Sequence, residues 1–501
     1  MMKLRKKFLA LFLVFTMVLS LMACGGKEDT EDVGKDLPST GQEDEKDQED
    51  KEPEVTEAPT PTEEPVDVYP AFDLNQRTIK VGIWWDYYYT SAHNDIYDNS
   101  QVGNTETAQM QLDNVRRIEK KYNCRIEFVN LGWNGIMESI NTSITAGTPE
   151  CDIYLTDLQF GIPAVMNGLA LDLDTFVPDY CDLVNDQKIV KPLIAKGAEE
   201  VLGGNFFFTE QALPVNGIYL GYNVNMIEDL GLEDPQELYR KGEWTWEKFA
   251  EYAKAGTRDL DNDGNTDIFG FGGIFTDLVN GLVLNNGGSI AGGATEGLSS
   301  QQTVKAFEFI DQLYNKDLSA RPWNGDDWDD NLLAWSDGKV MFWTAQAWSL
   351  KQEMDAAIQE GAELPFEFKV VPYPLGPDSD GTYYSPVAGN WYIIPVGVEE
   401  PDKVFQVFEE FLNWHQGDEE YRDDPTWFES CFMTLDDVEL AMDCGRNLKM
   451  DIWGSFGDYF RFGDMIWWPI VVNKDTTVAQ AIESAKPVLQ DALDYFRSKR
   501  Q

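Results

Sequence analysis

The sequence predicts an α/β protein built from more than one lobe. From about residue 77 onward, short apolar segments alternate with segments of helical periodicity, and this alternation is typical of an open α/β sheet. The chain has 501 residues, of which 43% are hydrophobic. That length is too great for one ordinary hydrophobic core. Two or more lobes, each with its own core, are therefore expected.

The chain begins with a basic and then an apolar segment. Residues 3–7 carry four positive charges, and the apolar run 8–22 that follows is too short to cross a bilayer comfortably. The run ends in Leu21-Met22-Ala23-Cys24, the pattern of a lipobox, at which a signal peptidase cuts and a lipid is attached to the cysteine. We therefore expect a lipoprotein signal peptide at 1–23 and a lipid on Cys24. The alternative is an ordinary secretory signal with a cysteine there by chance.

The next segment, residues 24–76, is expected to be a disordered acidic tether. It is rich in Glu, Asp, Pro and Thr and has hardly any large apolar residue before Pro70. Such a segment cannot bury enough surface to offset the entropy lost on ordering. Like charges and prolines keep a tether extended, which would hold the folded part away from the membrane.

Composition excludes several classes of function. The net charge of −49 argues against nucleic-acid binding, because phosphates must be neutralised by Lys and Arg. Besides Cys24 the chain has five cysteines, and an odd number is not a disulfide framework, although one pair such as Cys431 with Cys444 stays open. The histidines are only His93 and His415, and the cysteines are not spaced like zinc ligands.

The first ordered elements predict where ligand contacts should lie. They are a strand at 79–86, a helix at 107–122, a strand at 124–128, a helix at 135–145 and a strand at 152–155. In open α/β sheets, ligands gather beyond the carboxyl ends of the strands. Asp86 and Asp157 fall at two such ends.

The middle and end of the chain carry a series of motifs in a characteristic order. The first are a strand at Pro214–Asn223 that ends in Tyr-Asn, Gly-Leu-x-x-Pro at 231–235, Thr-Trp-x-x-Phe at 245–249 and Trp-Ser-Asp-Gly-Lys-Val-Met at 335–341. The later ones are a strand at 368–374, Ile394-Pro395, Glu400-Pro401 before a helix at 404–414, and an amphipathic helix at 477–493 that Pro487 would interrupt. Over roughly residues 77–495 this order resembles the extracellular solute-binding proteins of family 1, the maltodextrin-binding-like receptors of ABC importers.

The resemblance implies a Venus-flytrap architecture with ligand between two α/β lobes. It places one lobe at about 77–215 and 372–414 and the other at about 216–371 and 415–501, so that the chain crosses near residues 216, 371 and 414. It also implies a carbohydrate, an oligosaccharide in particular, as the ligand. The expected partners are that carbohydrate and the membrane subunits of an ABC permease, and the protein is expected to act as a monomer on the extracellular face of the cytoplasmic membrane.

Aromatic and polar residues at predicted strand ends and loops are the candidate ligand contacts. Aromatic rings can pack on the CH faces of sugars, and Asp or Asn can bond the hydroxyls. Any single Trp is more often a core residue than a ligand platform. Position relative to the family, or a place beside Asn or Gly in a loop, selects Trp85, Asp86, Asp157, Asn216, Trp323, Trp348, Asn390, Trp391 and Trp453.

A separate acidic loop predicts a structural calcium ion. Oxygen-bearing residues recur at alternate positions in this loop, and Gly264 stands where a calcium loop turns sharply. Gly270 replaces the usual bidentate Glu, so a further ligand must come from elsewhere; a turn rich in Asp and Asn is the alternative. The predicted ligands are Asp259, Asp261, Asp263, Asn265 and Asp267.

Two other classes of function compete with a receptor. A tethered glycoside hydrolase would also be exported, acidic and aromatic, with two carboxylates across a cleft. A surface adhesion module for carbohydrates would explain the tether. The sequence has no Gly-x-Ser-x-Gly, His-Glu-x-x-His or Walker A motif, and the order of the family motifs favours binding. No enzyme activity and no catalytic cofactor are therefore expected.

Overall fold

The computed structural model describes residues 69–86, 88–99, 102, 104–178, 205–209, 214–215, 217–322, 328–359 and 364–498. These residues belong to one compact unit that begins at Pro65. Several predictions fall outside the described residues: the signal peptide, Cys24, nearly all of the tether, and the candidate contacts Asn216 and Trp323.

The described strands form two four-stranded sheets and one two-stranded ribbon. The strands are β1 Arg77–Ile83, β2 Cys124–Asn130, β3 Ile153–Thr156, β4 Tyr219–Asn223, β5 Phe269–Gly272, β6 Val340–Ala345, β7 Phe368–Val371, β8 Ser385–Pro386, β9 Trp391–Ile393 and β10 Leu448–Lys449. The sheet orders are β2-β1-β3-β9, β5-β6-β4-β7 and β10-β8. Each four-stranded sheet is the centre of one lobe, so the predicted two-lobed α/β fold is confirmed.

Helices cover both sheets. The α-helices are α1 Thr105–Tyr122, α2 Gly132–Ser139, α3 Leu158–Met166, α4 Val224–Asp229, α5 Pro235–Arg240, α6 Trp246–Gly256, α7 Phe275–Asn285, α8 Gln301–Asp311, α9 Trp328–Ser336, α10 Ala347–Gln359, α11 Pro401–Leu412, α12 Glu419–Arg422, α13 Thr426–Glu429, α14 Leu435–Arg446 and α15 Val478–Ser498. Shorter 3₁₀ turns lie at Ile96–Asp98, Leu173–Thr175, Trp453–Ser455 and Gly457–Tyr459, and π-helical turns lie at Ile140–Ile144, Gln312–Lys316 and Gly463–Val472. Among the described residues, no helix is both long and apolar enough to cross a membrane.

The first lobe is built on a mainly parallel sheet. β1 pairs in parallel with β2 and β3, and β9 adds an antiparallel edge to β3. The apolar side chains of β1 are buried, as the predicted strand requires, and α1 buries Leu112, Val115 and Ile118 at helical spacing. The side chain of Glu410 on α11 accepts hydrogen bonds from Arg117, at 2.5 Å, and Lys121, at 3.0 Å, on α1. These charged bonds hold the two helices together.

The second lobe is built on a mixed sheet. β5 pairs in parallel with β6, and β4 lies antiparallel between β6 and β7. Helix α6 begins at the predicted cap, Thr245, whose hydroxyl accepts a hydrogen bond from the Lys248 N–H. The large side chains at the centre of this lobe are fully buried.

The chain leaves the second lobe later than the predicted crossing near residue 371. Leu375 donates its N–H to the Trp244 carbonyl at 3.1 Å, and Tyr384 donates its N–H to Asn285 Oδ1 at 2.8 Å. Residues 372–384 therefore pack on the second lobe. The ribbon of β8 and β10 follows, and the chain then enters the first sheet at β9.

One local prediction fails for a physical reason, and one pairing that the sequence left open is not formed. Pro487 does not interrupt the last helix, since α15 runs unbroken from Val478 to Ser498 with one buried face. A proline costs a helix one backbone hydrogen bond, and the packing of that face offsets the loss. Cys431 and Cys444 do not pair: both are free and buried, and burial raises the pKa of each thiol to about 12.

Candidate functional site

Polar and aromatic residues from four strands meet at one edge of the first sheet. β1 ends just before Trp84-Trp85-Asp86, β2 ends at Asn130, and β3 ends just before Asp157. These strands are parallel, so their carboxyl ends lie at the same edge. β9 runs antiparallel to β3 and therefore starts there, which brings the exposed residue Asn390 to this edge.

Four aromatic rings form a continuous wall at this edge, which we call the aromatic wall: Trp84, Trp85, Trp133 and Phe160. The ring of Trp84 lies 4.9 Å from Trp85 and 5.1 Å from Trp133, in both cases edge to face. The ring of Trp133 lies 4.6 Å from that of Phe160. Trp133 is 44% exposed. The wall therefore offers apolar surface to a ligand instead of burying all of it in the core.

Two carboxylates flank the aromatic wall. Asp86 is exposed, and its Oδ1 accepts a hydrogen bond from Asn130 Nδ2 at 3.2 Å. Asp157 caps α3 and accepts the Phe160 N–H at 3.1 Å. Burial raises the pKa of Asp157 to about 6, although hydrogen bonds from the backbone of Phe160 and Gln159 oppose the shift.

The edge of the second sheet at which β5 and β6 end carries a series of hydrogen-bonded polar side chains that reaches the surface. β5 leads into α7 and β6 leads into α10, and the two strands are parallel, so both helices begin at the same edge. On α10, Trp348 is 43% exposed, and its indole N–H donates to Gln346 Oε1 at 2.6 Å. Gln346 and Thr276 hydrogen-bond to Asp277 in the first turn of α7. Burial raises the pKa of Asp277 to about 7.

Burial contradicts two of the predicted ligand contacts. Trp391 is 1% exposed, and its backbone carbonyl accepts a hydrogen bond from Thr156 Oγ1 at 2.9 Å inside the first sheet. Trp453 is 2% exposed, donates its indole N–H to Asn280 Oδ1 at 2.6 Å and lies 4.0 Å from the ring of Phe462. Both predictions are wrong as ligand contacts, since both rings are covered by protein in this structure. Asp86, Trp85, Asp157, Trp348 and Asn390 stay predictions at the sheet edges.

The segment around Trp453 connects the lobes next to this site. Asp451 is buried and accepts hydrogen bonds from the N–H groups of Ala291, at 2.9 Å, and Trp453, at 3.2 Å, and from Ser289 Oγ at 3.0 Å. These bonds tie the segment to the loop after α7. The turn Trp453–Ser455 also contacts α3 of the first lobe. The Trp453 segment therefore connects α3 of the first lobe with the loop after α7 of the second.

The acidic loop brings some of the predicted calcium ligands together. Side-chain oxygens of Asp259, Asp261 and Asp267 lie within 4.8 Å of one another. Asp263 is outside this group and accepts a hydrogen bond from Asn265 Nδ2 at 3.0 Å. The Asp259 carboxylate also accepts the backbone N–H groups of residues 262 and 264, a pattern that an Asp-rich turn shares. Calcium binding stays a prediction.

Sequence reasoning missed Trp133, Phe160, Gln346 and Asp277. A signal was present for Trp133, because Asn130-Leu131-Gly132-Trp133 follows a strand end as Trp84-Trp85-Asp86 follows another. Asp277 gives no such signal, since an acidic residue in the first turn of a helix is common.

Solved structures with this fold cover most of the chain. An ABC substrate-binding protein from Listeria monocytogenes in complex with cycloalternan has a TM-score of 0.56 and 15% identity, covering 85% of this chain and 99% of its own. A cyclic alpha-maltosyl-1,6-maltose binding protein from Arthrobacter globiformis has a TM-score of 0.56 and 15% identity over 83% and 99% of the two chains. The maltose/maltodextrin-binding domain MalE from Bdellovibrio bacteriovorus, bound to maltotriose, has a TM-score of 0.52 and 13% identity over 85% and 100%. At these identities the likeness shows the fold.

A comparison with curated proteins gives no match. The model of the bacterial extracellular solute-binding protein family, in contrast, matches residues 100–421. The match covers more than half of the chain, including β2, β3 and β9 of the first sheet and all four strands of the second sheet. The chain belongs to the bacterial extracellular solute-binding protein family.

Proposed function

We propose that the protein captures a carbohydrate, an oligosaccharide in particular, between its two lobes and delivers it to an ABC permease. A lipid on Cys24 would hold it on the extracellular face of the cytoplasmic membrane. The observation that carries the proposal is the aromatic wall, which lies beside Asp86 and Asp157 on one sheet edge while the exposed ring of Trp348 lies on the corresponding edge of the other sheet.

This combination of groups suits a sugar. Aromatic rings pack on the apolar CH face of a pyranose, while carboxylates and amides accept bonds from its hydroxyl rim. The ring of Trp133 is nearly half exposed although it contacts two other rings. Exposed apolar surface rimmed by polar groups marks a binding site. The structures from Listeria and Bdellovibrio contain oligosaccharides, which supports the same class of ligand here.

The two-lobed fold suggests how binding is coupled to delivery. A ligand that contacts both sheet edges stabilises the conformation in which the lobes are closed, because only that conformation makes both sets of contacts. The permease would then recognise the closed receptor. Bonds from carboxylates to hydroxyls hold the sugar without changing it.

A thermal-shift panel of mono- and oligosaccharides tests the proposal. At a ligand concentration 100 times the Kd, a bound sugar stabilises the folded state by about 2.7 kcal/mol. We expect at least one oligosaccharide to raise the melting temperature, and small-angle scattering to show a more compact form with that sugar. Stabilisation by none of them would contradict the proposal, and cleavage of the sugar during the assay would favour a glycoside hydrolase.

Trp348→Ala is expected to weaken binding of that sugar by roughly 1–3 kcal/mol while leaving the fold intact, since a ring in an anchor position contributes this much. Isothermal titration gives the affinity and circular dichroism gives the fold. Trp427→Ala is the matched control, because Trp427 is similarly exposed, at 51%, on α13 and is not among the candidate contacts. Equal affinity in wild type and Trp348→Ala would remove this residue from the site.

Cys24→Ala is expected to abolish lipidation. Without the thiol no lipid can be attached, so the variant should move from the detergent phase to the aqueous phase in Triton X-114 partitioning of the expressing cells. Ser20→Ala, four residues upstream in the apolar run, keeps the thiol and serves as the control. Equal partitioning of wild type and Cys24→Ala would disprove the anchor.

The acidic loop is expected to bind calcium. Chelation should lower the melting temperature of wild type, and Asp261→Ala should abolish that response, because an ion bound only by the folded state stabilises it. Asp337→Ala removes an acidic residue from an exposed ion pair with Lys339 and is the control. Superimposable melts with calcium and with chelator would favour the simple turn.

A further inference from the structure

We propose that the carbohydrate carries a positive charge, and that an amine on it is bound by Asp157 of the first lobe and Asp277 of the second. This inference rests on the proposed function and specifies the substrate class of the same site. It is carried by two carboxyl groups, one at each sheet edge, that lack a cationic partner among the described residues. Asp277 is buried and Asp157 is partly buried.

Asp277 is the stronger of the two observations. Asp277 is only 9% exposed, yet its Oδ2 has no hydrogen-bond partner among the described residues. The hydroxyls of Tyr373 and Tyr314 are likewise buried without a partner, and Tyr373 interacts electrostatically with Asp277. Buried polar atoms normally find partners. A carboxylate oxygen can only accept hydrogen bonds, so the unpartnered Oδ2 of Asp277 indicates a missing donor.

Asp157 provides the counterpart on the first lobe. Among the described residues, its carboxylate accepts hydrogen bonds only from backbone N–H groups at the start of α3, and no Lys or Arg acts on it. It follows β3 at the edge that carries the aromatic wall. Indole rings attract cations through the negative face of the ring, so the wall itself favours a charged amine over a neutral group.

Two basic residues, one beside β5 and one in the ribbon, are not among the groups that act on these two carboxyls. Arg321 donates its backbone N–H to the Phe271 carbonyl beside β5, and its side chain is absent from the groups that act on Asp277. Lys449 in the ribbon lies 3.3 Å from the ring centroid of Tyr384. The charge of the two carboxylates is therefore not balanced by described protein groups.

Closure of the lobes would raise the energetic cost of these two uncompensated negative charges. As water leaves the cleft, each ionised carboxylate loses solvation, and an uncompensated buried charge is costly. Hydroxyls of a neutral sugar can donate hydrogen bonds but leave both negative charges in place. An ammonium group on the sugar donates bonds and also neutralises charge, so it offsets the cost of closure.

Matched sugars test the inference on the full mature chain at pH 7.5. The probes are the β-1,4 trisaccharide of glucosamine, which has free amines, its N-acetylated form, which has the same skeleton without charge, and maltotriose. We expect isothermal titration to give the free-amine trisaccharide at least tenfold higher affinity than the N-acetylated one. Asp277→Asn should reduce this preference to twofold or less, while Asp337→Asn, on the surface, should retain it.

The outcomes separate this inference from the proposed function. Tighter binding of maltotriose or of the N-acetylated form overturns the charged-ligand inference and leaves carbohydrate binding intact. Stabilisation by no sugar, in this set or in the larger panel, overturns both. Asp157→Asn is the second variant: a preference unchanged in both Asn variants, each with wild-type circular dichroism, would mean that other groups bind the amine and would overturn the assignment.

Discussion

Asp451→Ala is expected to lower the free energy of unfolding by about 3–5 kcal/mol, as removal of a buried, multiply bonded charged group does. The carboxylate is 8% exposed and accepts bonds from Ser289 Oγ and from the N–H groups of Ile290, Ala291 and Trp453. Alanine would leave these buried donors without an acceptor, and each orphaned donor costs about 1–3 kcal/mol, less where water can enter.

Urea unfolding of wild type and variant measures this difference. Asp451→Asn keeps one side-chain acceptor and should fall between the two, while Asp337→Ala, from an exposed ion pair, should change the free energy by less than about 0.5 kcal/mol. Asp451 also matters for the proposed site, because it accepts the Trp453 N–H and the Trp453 turn contacts α3 beside the aromatic wall. A loss below about 1 kcal/mol in Asp451→Ala would show that water replaces the carboxylate.

The fold could be predicted because its signals are local and repeated. Alternating apolar residues in β2 and the apolar stripe of α1 correspond to elements that the structure contains, at Cys124–Asn130 and Thr105–Tyr122. The crossing into the first lobe could not be placed in the same way. Residues 372–384 have no regular periodicity, and what fixes them to the second lobe is hydrogen bonding to Trp244 and Asn285, which are distant in sequence.

The site was predictable only where it follows the strand ends. The position of Asp86 and Asp157 at one edge was predictable because parallel strands place their carboxyl ends there; their contact with a ligand stays a prediction. Tryptophans were harder to assign, since a Trp beside a turn can face solvent or the core. Trp348 is exposed whereas Trp391 and Trp453 are covered, and that difference depends on packing between segments far apart in sequence.

Asp277→Asn is expected to stabilise the ligand-free protein at pH 8, by about 2–4 kcal/mol. The pKa of this carboxyl is raised from 3.8 to about 7 by burial, and a shift of one pKa unit corresponds to about 1.4 kcal/mol. Between these two values the folded state holds a proton that the unfolded state has lost. The stability contributed by that proton is complete below pH 3.8 and is lost as the pH rises through about 7.

The free energies of unfolding of wild type and Asp277→Asn, compared at pH 8 and at pH 5, isolate the contribution of the Asp277 carboxyl. At pH 8 wild type carries a buried negative charge that asparagine lacks, so the variant should be more stable; at pH 5 wild-type Asp277 is protonated when folded, and the gain should mostly disappear. The net charge of −49 makes the whole protein pH-sensitive, but that background is nearly common to both proteins and largely cancels in the difference. An equal difference at both pH values would mean that folded Asp277 is already ionised at pH 5, so that burial does not raise its pKa. A gain at pH 8 together with weaker binding of the amine-bearing trisaccharide would show that stability is given up here for ligand recognition.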